Sequence, residues 1–314
     1  MLTCKKHGDL IDDLDLVEKY DEDLLRTFKR EHEERVRILT DVRDDRQSHV
    51  VFFRAPVDGR DLTIDERKAH RALLPNYPAE EHPFDIDLAG IGIPSSSAGF
   101  YEVMREALKQ QTGDLLRRRA GRSRPRSLSV FAIAPIPLLV QFGRYIGDVQ
   151  SVDLYQHHRG PRSWSWADEE EEEVFYELTG PGRDDEHDSP LVVIISVSAR
   201  VRPELVETLF DGAPIIYRLE ATDVVEERVS GRDFLRSRTR LNVFAYEFRR
   251  LLDLIRSRHG HARPVHLFSA VPAPIAIEIG RNIKDVDPEF ILYDYRKSTN
   301  GYAPAFAINS STHS

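Results

Sequence analysis

Apolar and polar positions alternate along this chain in a way that switches repeatedly between strand and helix periods. After a polar stretch at Asp41 to Gln47, Ser48 to Phe53 (SHVVFF) carries a strand signal, and Ile64 to Leu74 reads as helical. Phe84 to Leu88 (FDIDL) alternates as a half-buried strand does. Phe100 to Arg119 predicts a long amphipathic helix and Leu128 to Ala134 a buried strand. The order then recurs. Leu191 to Ser196 predicts a buried strand, Pro203 to Phe210 a short helix, Ile215 to Leu219 a strand, Arg232 to Arg258 a long helix and Val265 to Ala270 a strand. Strands alternating with helices predict a parallel or mostly parallel sheet with helices on its faces. Ahead of all this, Asp21 to Thr40 predicts a charged helix with Asp21 as N-cap and Leu24, Leu25, Phe28, Val36 and Leu39 as its apolar positions.

The recurrence extends to individual residues. Phe131, Pro135, Pro137, Gly143-Arg144, Ile146 and Asp148-Val149 are followed by Leu154-Tyr155. Phe268, Pro272, Pro274, Gly280-Arg281, Ile283 and Asp285-Val286 are followed by Leu292-Tyr293. Gly143 and Gly280 are 137 residues apart, and the other positions up to Val286 keep that offset. Solenoid repeats run roughly 20–50 residues, so a period this long predicts a duplicated small domain. The boundaries that follow are 1–46 for an N-terminal segment with its linker helix, 47–170 for the first half and 171–314 for the second.

Composition narrows the function classes. The chain has 314 residues, about two domains' worth, and its 40% hydrophobic content supplies a packed core. A net charge of −9 argues against general binding to long nucleic acid, though a local pocket can still attract a small anion. A single cysteine, Cys4, gives no internal disulfide and fits a reducing compartment. No apolar run reaches the roughly 18 residues of a membrane span and no signal-peptide pattern opens the chain. The expectation is a cytoplasmic protein without a membrane partner.

Candidate chemistry gathers at the repeated motif. Each strand ends in Pro-x-Pro, whose prolines stop ladder pairing and fix the loop. Loops at the carboxyl ends of parallel strands are where open α/β sheets bind ligands. Gly143 and Gly280 fall two turns into the following helix, which suggests close helix–sheet packing rather than a phosphate cradle. Two such loops about a pseudo-twofold axis predict either a shared pocket or a purely structural core motif. The loops after the first strand of each half belong beside them: Arg54-Ala-Pro56, and Ser196-Val-Ser198-Ala-Arg200. Arginine takes phosphate bidentately and stacks on bases, while the serines read equally as turn hydroxyls. Gln156, His157 and His158 follow the first repeat. Trp164 and Trp166, the chain's two tryptophans, come next; they suit base stacking or a strand pair with one indole buried. The arginine-rich 117–126 and the acidic run Asp168 to Glu173 read mainly as solvated surface. Gly90-Ile-Gly92 is a broken dinucleotide fingerprint, and Asp85 and Asp87 fit strand alternation. Cys4-Lys-Lys-His7 has half the spacing of a zinc knuckle, and with two of the four ligands structural zinc needs, it predicts no metal. No catalytic constellation stands out.

The repeated Phe, Pro-x-Pro and Gly-Arg positions, each followed by Leu-Tyr, resemble the SAVED domain, over about Ser48 to Asn309. That resemblance implies an α/β fold: two tandem CARF-like, Rossmann-type units forming one pseudo-symmetric domain behind a short helical linker. SAVED domains are cyclic-oligonucleotide receptors of bacterial CBASS antiphage systems and some CRISPR-linked effectors. It implies a cyclic di- or trinucleotide as activating ligand and no other cofactor. The ligand would touch Pro135, Pro137, Gln156, Ser196, Ser198, Arg200, Ser269, Pro272 and Pro274, with Trp164 or Trp166 stacking. It further implies a homo-oligomer that assembles head to tail on ligand binding. Met1 to Asp12 resembles the last segment of an HNH nuclease, with Cys4 and His7 at late zinc-ligand positions and Gly8 where a metal-binding histidine usually stands. DNA would then be a partner only through a nuclease whose earlier parts this sequence does not contain. The alternatives are a CARF-like enzyme that degrades cyclic nucleotides, with His157 and His158 as candidates, and a Rossmann-like metabolic enzyme.

Overall fold

The computed structural model describes residues 21–40, 46–57, 63–120, 127–147, 149, 151–159, 162–167, 175–181, 189–222 and 234–308. The linker helix α1 (Glu22–Thr40) starts where its cap predicts, the Leu24 N–H donating to Asp21 Oδ1 at 2.7 Å. Along its apolar stripe Leu24 and Leu25 are half-buried, and Phe28 and Val36 are 45% and 41% exposed.

The first half runs β1 (Gln47–Arg54), α2 (Glu66–Leu73), β2 (Tyr77–Pro78), β3 (Phe84–Asp87), α3 (Phe100–Ala120), β4 (Ser127–Ile133), α4 (Ile136–Tyr145) and β5 (Ser151–Tyr155). A small hairpin, β6 (His158–Arg159) with β7 (Arg162–Ser163), follows. The second half runs β8 (Tyr176–Thr179), β9 (Leu191–Ser196), α5 (Pro203–Glu207), β10 (Ile215–Ala221), α6 (Arg238–His259), β11 (Val265–Ala270), α7 (Ala273–Asn282), β12 (Phe290–Arg296) and β13 (Gly301–Ile308).

Topology confirms the duplication. The first sheet is parallel, with β1 between β3 and β4 and with β5 beyond β4. The second has β9 between β10 and β11, with β12 beyond β11, again parallel. The second sheet departs from the parallel expectation only at its edges, where β8 and β13 pair antiparallel to β10 and β12.

The same side chains do the same work in both halves. On the outer face of the first sheet Tyr155 stacks on Phe131 at 4.4 Å, and Trp164 meets Phe131 edge-on at 5.3 Å. On the second, Tyr293 stacks on Phe268 at 4.2 Å, and Tyr302 meets Phe268 edge-on at 5.2 Å. Such pairs add roughly 0.5–1.5 kcal/mol beyond the area they bury. The inner faces of both sheets, with α3, α4, α6 and α7 between them, share one continuous core that includes Val51, Phe142, Phe244 and Ile277. Among the described residues no helix is long and apolar enough to cross a membrane.

Candidate ligand site at the carboxyl edges of the two sheets

In each half the strand order reverses direction between β1 and β4, or between β9 and β11, and ligands of open α/β sheets bind at the carboxyl side of such a switch point. The backbone closes similarly at both. Ala55 N–H donates to Ile133 O at 3.0 Å, and the N–H groups of Val197 and Ser198 donate to Ala270 O at 3.0 and 2.8 Å. Arg54 and Ser196 are therefore structural counterparts, each paired in register with the last residue of the neighbouring strand.

The Pro-x-Pro motifs start α4 and α7. Pro135 and Pro272 are the N-caps, and Pro137 and Pro274 sit in the first turn, where a missing N–H costs nothing. Pro137, Pro272 and Pro274 are buried and Pro135 is half-buried. The two helices meet near their C-terminal ends. A Cβ on Gly143 would lie 2.0 Å from Ile277 O, and one on Gly280 would lie 1.8 Å from Val140 O. The glycines thus serve helix–helix contact across the pseudo-twofold axis, not the helix–sheet packing their position suggested. Below the crossing, Arg144 pairs with Asp285, and Arg281 donates to Val149 O at 3.2 Å. The N-termini of α4 and α7, about 10 Å from the crossing at 1.5 Å per residue, lie at the carboxyl edges, where the two halves would share a ligand.

Around these starts the sequence-derived candidates separate. Ser196 is fully buried, and its Oγ accepts the Val201 N–H at 3.2 Å. This is the turn-hydroxyl arrangement. Ser198 is half-buried and Arg200 exposed on the same loop. Ser269 is buried on the inner-facing register of β11 beside Ile195. Arg54 is not a free guanidinium: it donates to Asp85 Oδ2 at 2.5 Å and to Asp87 Oδ2 at 3.0 Å. The two aspartates have this structural task.

Trp164 is 2% exposed, edge-on to Phe131 and tilted against His157 at 4.9 Å. Its ring is enclosed, the arrangement of the alternative with one indole buried. Trp166 is half-buried, its indole N–H donating to Leu154 O at 3.1 Å, which caps the edge strand β5. Gln156 is half-buried and donates to His157 O at 3.0 Å. His158 lies against Trp166 with centroids 6.1 Å apart.

A cluster the sequence reading missed stands beside Arg200. Arg202 donates to Asn300 Oδ1 at 2.7 Å and to the Tyr295 hydroxyl at 3.4 Å, and that hydroxyl donates to Asn300 Oδ1 at 2.6 Å. The Asn300-Gly301 dipeptide was a turn signal that locates the loop, although not its arginine partner. Between the halves Tyr101 donates to Asp294 at 2.6 Å, and burial together with that carboxylate raises the Tyr101 hydroxyl far above its ordinary range. Burial alone lowers His266, whose Nδ1 lies 3.0 Å from the Tyr293 hydroxyl. No group of three or more metal-ligating side chains occurs among the described residues. Cys4, His7 and the acidic run at 168–173 lie outside them.

Comparison with known proteins adds the following. Residues 108–308 match the family model SAVED, described as "SMODS-associated and fused to various effectors sensor domain". Two solved structures of the Acinetobacter baumannii Cap4 SAVED/CARF-domain containing receptor share the fold. The one with the cyclic trinucleotide 3'3'3'-cAAA has a TM-score of 0.53 at 13% identity, covering 83% of this chain and 52% of the receptor chain. The one with 2'3'3'-cAAA has a TM-score of 0.53 at 13% identity, covering 84% and 51%. This chain thus spans about half the length of those receptors. No curated protein matches the sequence.

Proposed function

The chain belongs to the SAVED family of sensor domains, and from that premise we propose that it is a cyclic-oligonucleotide sensor of an antiphage defence system. The observation that carries the reading is the duplicated switch point. Two halves of the same topology present Ala134 to Pro137 and Val271 to Pro274 from helices that touch at Gly143 and Gly280, so one small ligand can engage both halves at once. The Cap4 receptor of the same fold has been solved with cyclic trinucleotides, which supports a cyclic di- or trinucleotide here. In this reading the ligand favours a head-to-tail assembly of copies, and the assembly switches on an attached effector, with an HNH nuclease as the candidate. For that, the ligand must bind the assembled state more tightly than the free one. The degradative alternative gains no support from His157 and His158, whose rings pack against Trp164 and Trp166.

The test is calorimetric titration with a panel of cyclic di-, tri- and tetranucleotides, with scattering mass followed in parallel. Sub-micromolar binding of one member with a rise in mass is the expected result. Binding without a rise in mass would remove the assembly step, and binding by no member would remove the sensor reading.

A further inference from the structure

The two carboxyl edges are related by the duplication, but among the described residues the loops after β1 and β9 carry their arginines differently, and this asymmetry bears on how an anionic ligand sits. At the first edge, Arg54 is shared by Asp85 and Asp87, so the trio carries one net negative charge. At the second, Glu220 holds the register position of Asp87, but the loop after β9 adds two exposed arginines, Arg200 and Arg202. Arg202 is held only by neutral groups, the Asn300 carboxamide and the Tyr295 hydroxyl. Arg200 makes no hydrogen bond or ion pair among the described residues. Hydrogen bonds from neutral partners fix where a guanidinium points without neutralising it, and a fixed, uncompensated arginine is suited to a phosphate.

The turn that supplies the carboxamide places Asn300 in left-handed backbone. Asn300 has φ 48°, the one positive φ outside glycine among the described residues, and asparagine tolerates that left-handed region better than most side chains. Its Oδ1 takes both the arginine and the tyrosine, tying the β12–β13 turn to the loop that carries Ser198 and Arg200.

We infer that Arg200, together with Arg202 positioned by Asn300, holds the phosphates of the ligand, and that Arg54, its guanidinium taken up by Asp85 and Asp87, does not. This rests on the cyclic-oligonucleotide reading above. A ligand would therefore lie asymmetrically across a pseudo-symmetric site, with its phosphates toward β11 and β12.

The experiment uses the full chain and, as probe, the tightest-binding member of the cyclic di-, tri- and tetranucleotide panel. Arg200→Gln and Arg202→Gln should each weaken binding roughly 10-fold or more, the loss expected of a charge-assisted hydrogen bond, and should reduce its salt dependence. Asn300→Asp keeps the acceptor and the turn but neutralises Arg202. It should weaken binding comparably while thermal stability is unchanged, a result that a purely structural Asn300 would not give. Arg54→Gln combined with Asp85→Asn keeps the local charge at one net negative and should leave affinity within about two-fold, because that guanidinium is already taken up by carboxylates. If the probe binds the wild type but Arg202→Gln and Asn300→Asp bind it equally well, or if the Arg54→Gln, Asp85→Asn double variant loses as much as Arg202→Gln, the asymmetric reading falls and the sensor stands. If no panel member binds the wild type, both fall together.

Discussion

Glycine inside a helix is ordinarily a weakness, and replacing it with alanine gains up to about 1 kcal/mol. Gly143 and Gly280 reverse that sign. The Cβ of an alanine at 280 would sit 1.8 Å from Val140 O and that at 143 would sit 2.0 Å from Ile277 O. Both obstacles are helix carbonyls, which cannot swing aside as a side chain can, so the α4–α7 contact has to open. Gly280→Ala and Gly143→Ala are each expected to lower stability by about 3 kcal/mol or more, beyond ordinary overpacking, as read from urea unfolding. An unchanged or raised midpoint would contradict the crossing geometry. At this scale the sequence showed which residues recur but not what each one touches. The carbonyl that Gly143 meets, on Ile277, lies 134 residues away, so a contact with the helix's own sheet was the nearest available reading. The burial of Ser196 and Trp164 was not legible for a related reason. A hydroxyl that closes its own loop, or an indole enclosed by Phe131 and His157, has the composition of a binding residue and the environment of a core residue.

Between elements, each half's long helix reaches across to brace the other half. The first turn of α3 ties to β12 through Tyr101 and Asp294, and that of α6 ties to β5 through Arg238, which donates to Asp153 at 2.8 Å. Tyr101→Phe should cost about 1–3 kcal/mol, because it strips a donor from a part-buried carboxylate; a chemical unfolding curve superimposable on wild type would argue against the brace. Tyrosines also set an alkaline limit. Burial pushes Tyr302 up to about 12 and raises Tyr155, Tyr176 and Tyr293 as well. Above the unfolded value near 10, the unfolded chain releases protons that the folded chain keeps. The stability these groups contribute is complete below about pH 10 and is lost as pH rises toward 12. The urea midpoint should fall between pH 8 and pH 11, and Tyr302→Phe should shrink that fall; an equal fall in the variant would acquit Tyr302. Most of these elements were legible. Leu191–Ser196 and Val265–Ala270 form strands over the residues the pattern predicts, because β-branched and apolar runs suit a sheet covered on both faces. The edge strand β13 was not anticipated. Its Gly-Tyr-Ala-Pro-Ala-Phe-Ala sequence has a proline that interior strands exclude, and it is a strand through antiparallel pairing with β12.

For the molecule as a whole, the duplication suggests two units that fold independently, but the packing says otherwise. Pro137 to Arg144 are buried without a break along α4, and Pro274 to Ile277 are buried in α7. A helix buried on all sides lies inside a core rather than on its surface, and here much of that cover comes from the other half. The single core spanning both sheets predicts that the halves unfold as one cooperative body. A fragment of residues 21–167 would expose the α7-facing side of α4, and a fragment of 175–308 the complementary side of α7. Each fragment alone is therefore expected to aggregate or to lack fixed tertiary packing by near-ultraviolet circular dichroism. Refolded together they should form a one-to-one complex with the spectrum of the intact chain and a single unfolding transition. A monomeric half that unfolded cooperatively on its own would show that the crossing helices are a docking contact between finished domains. That difference matters for sensing. If the halves are one body, a ligand spanning their carboxyl edges acts on a fixed frame, and its binding energy is available for recruiting the next copy. If they are two, part of that energy is spent on bringing them together.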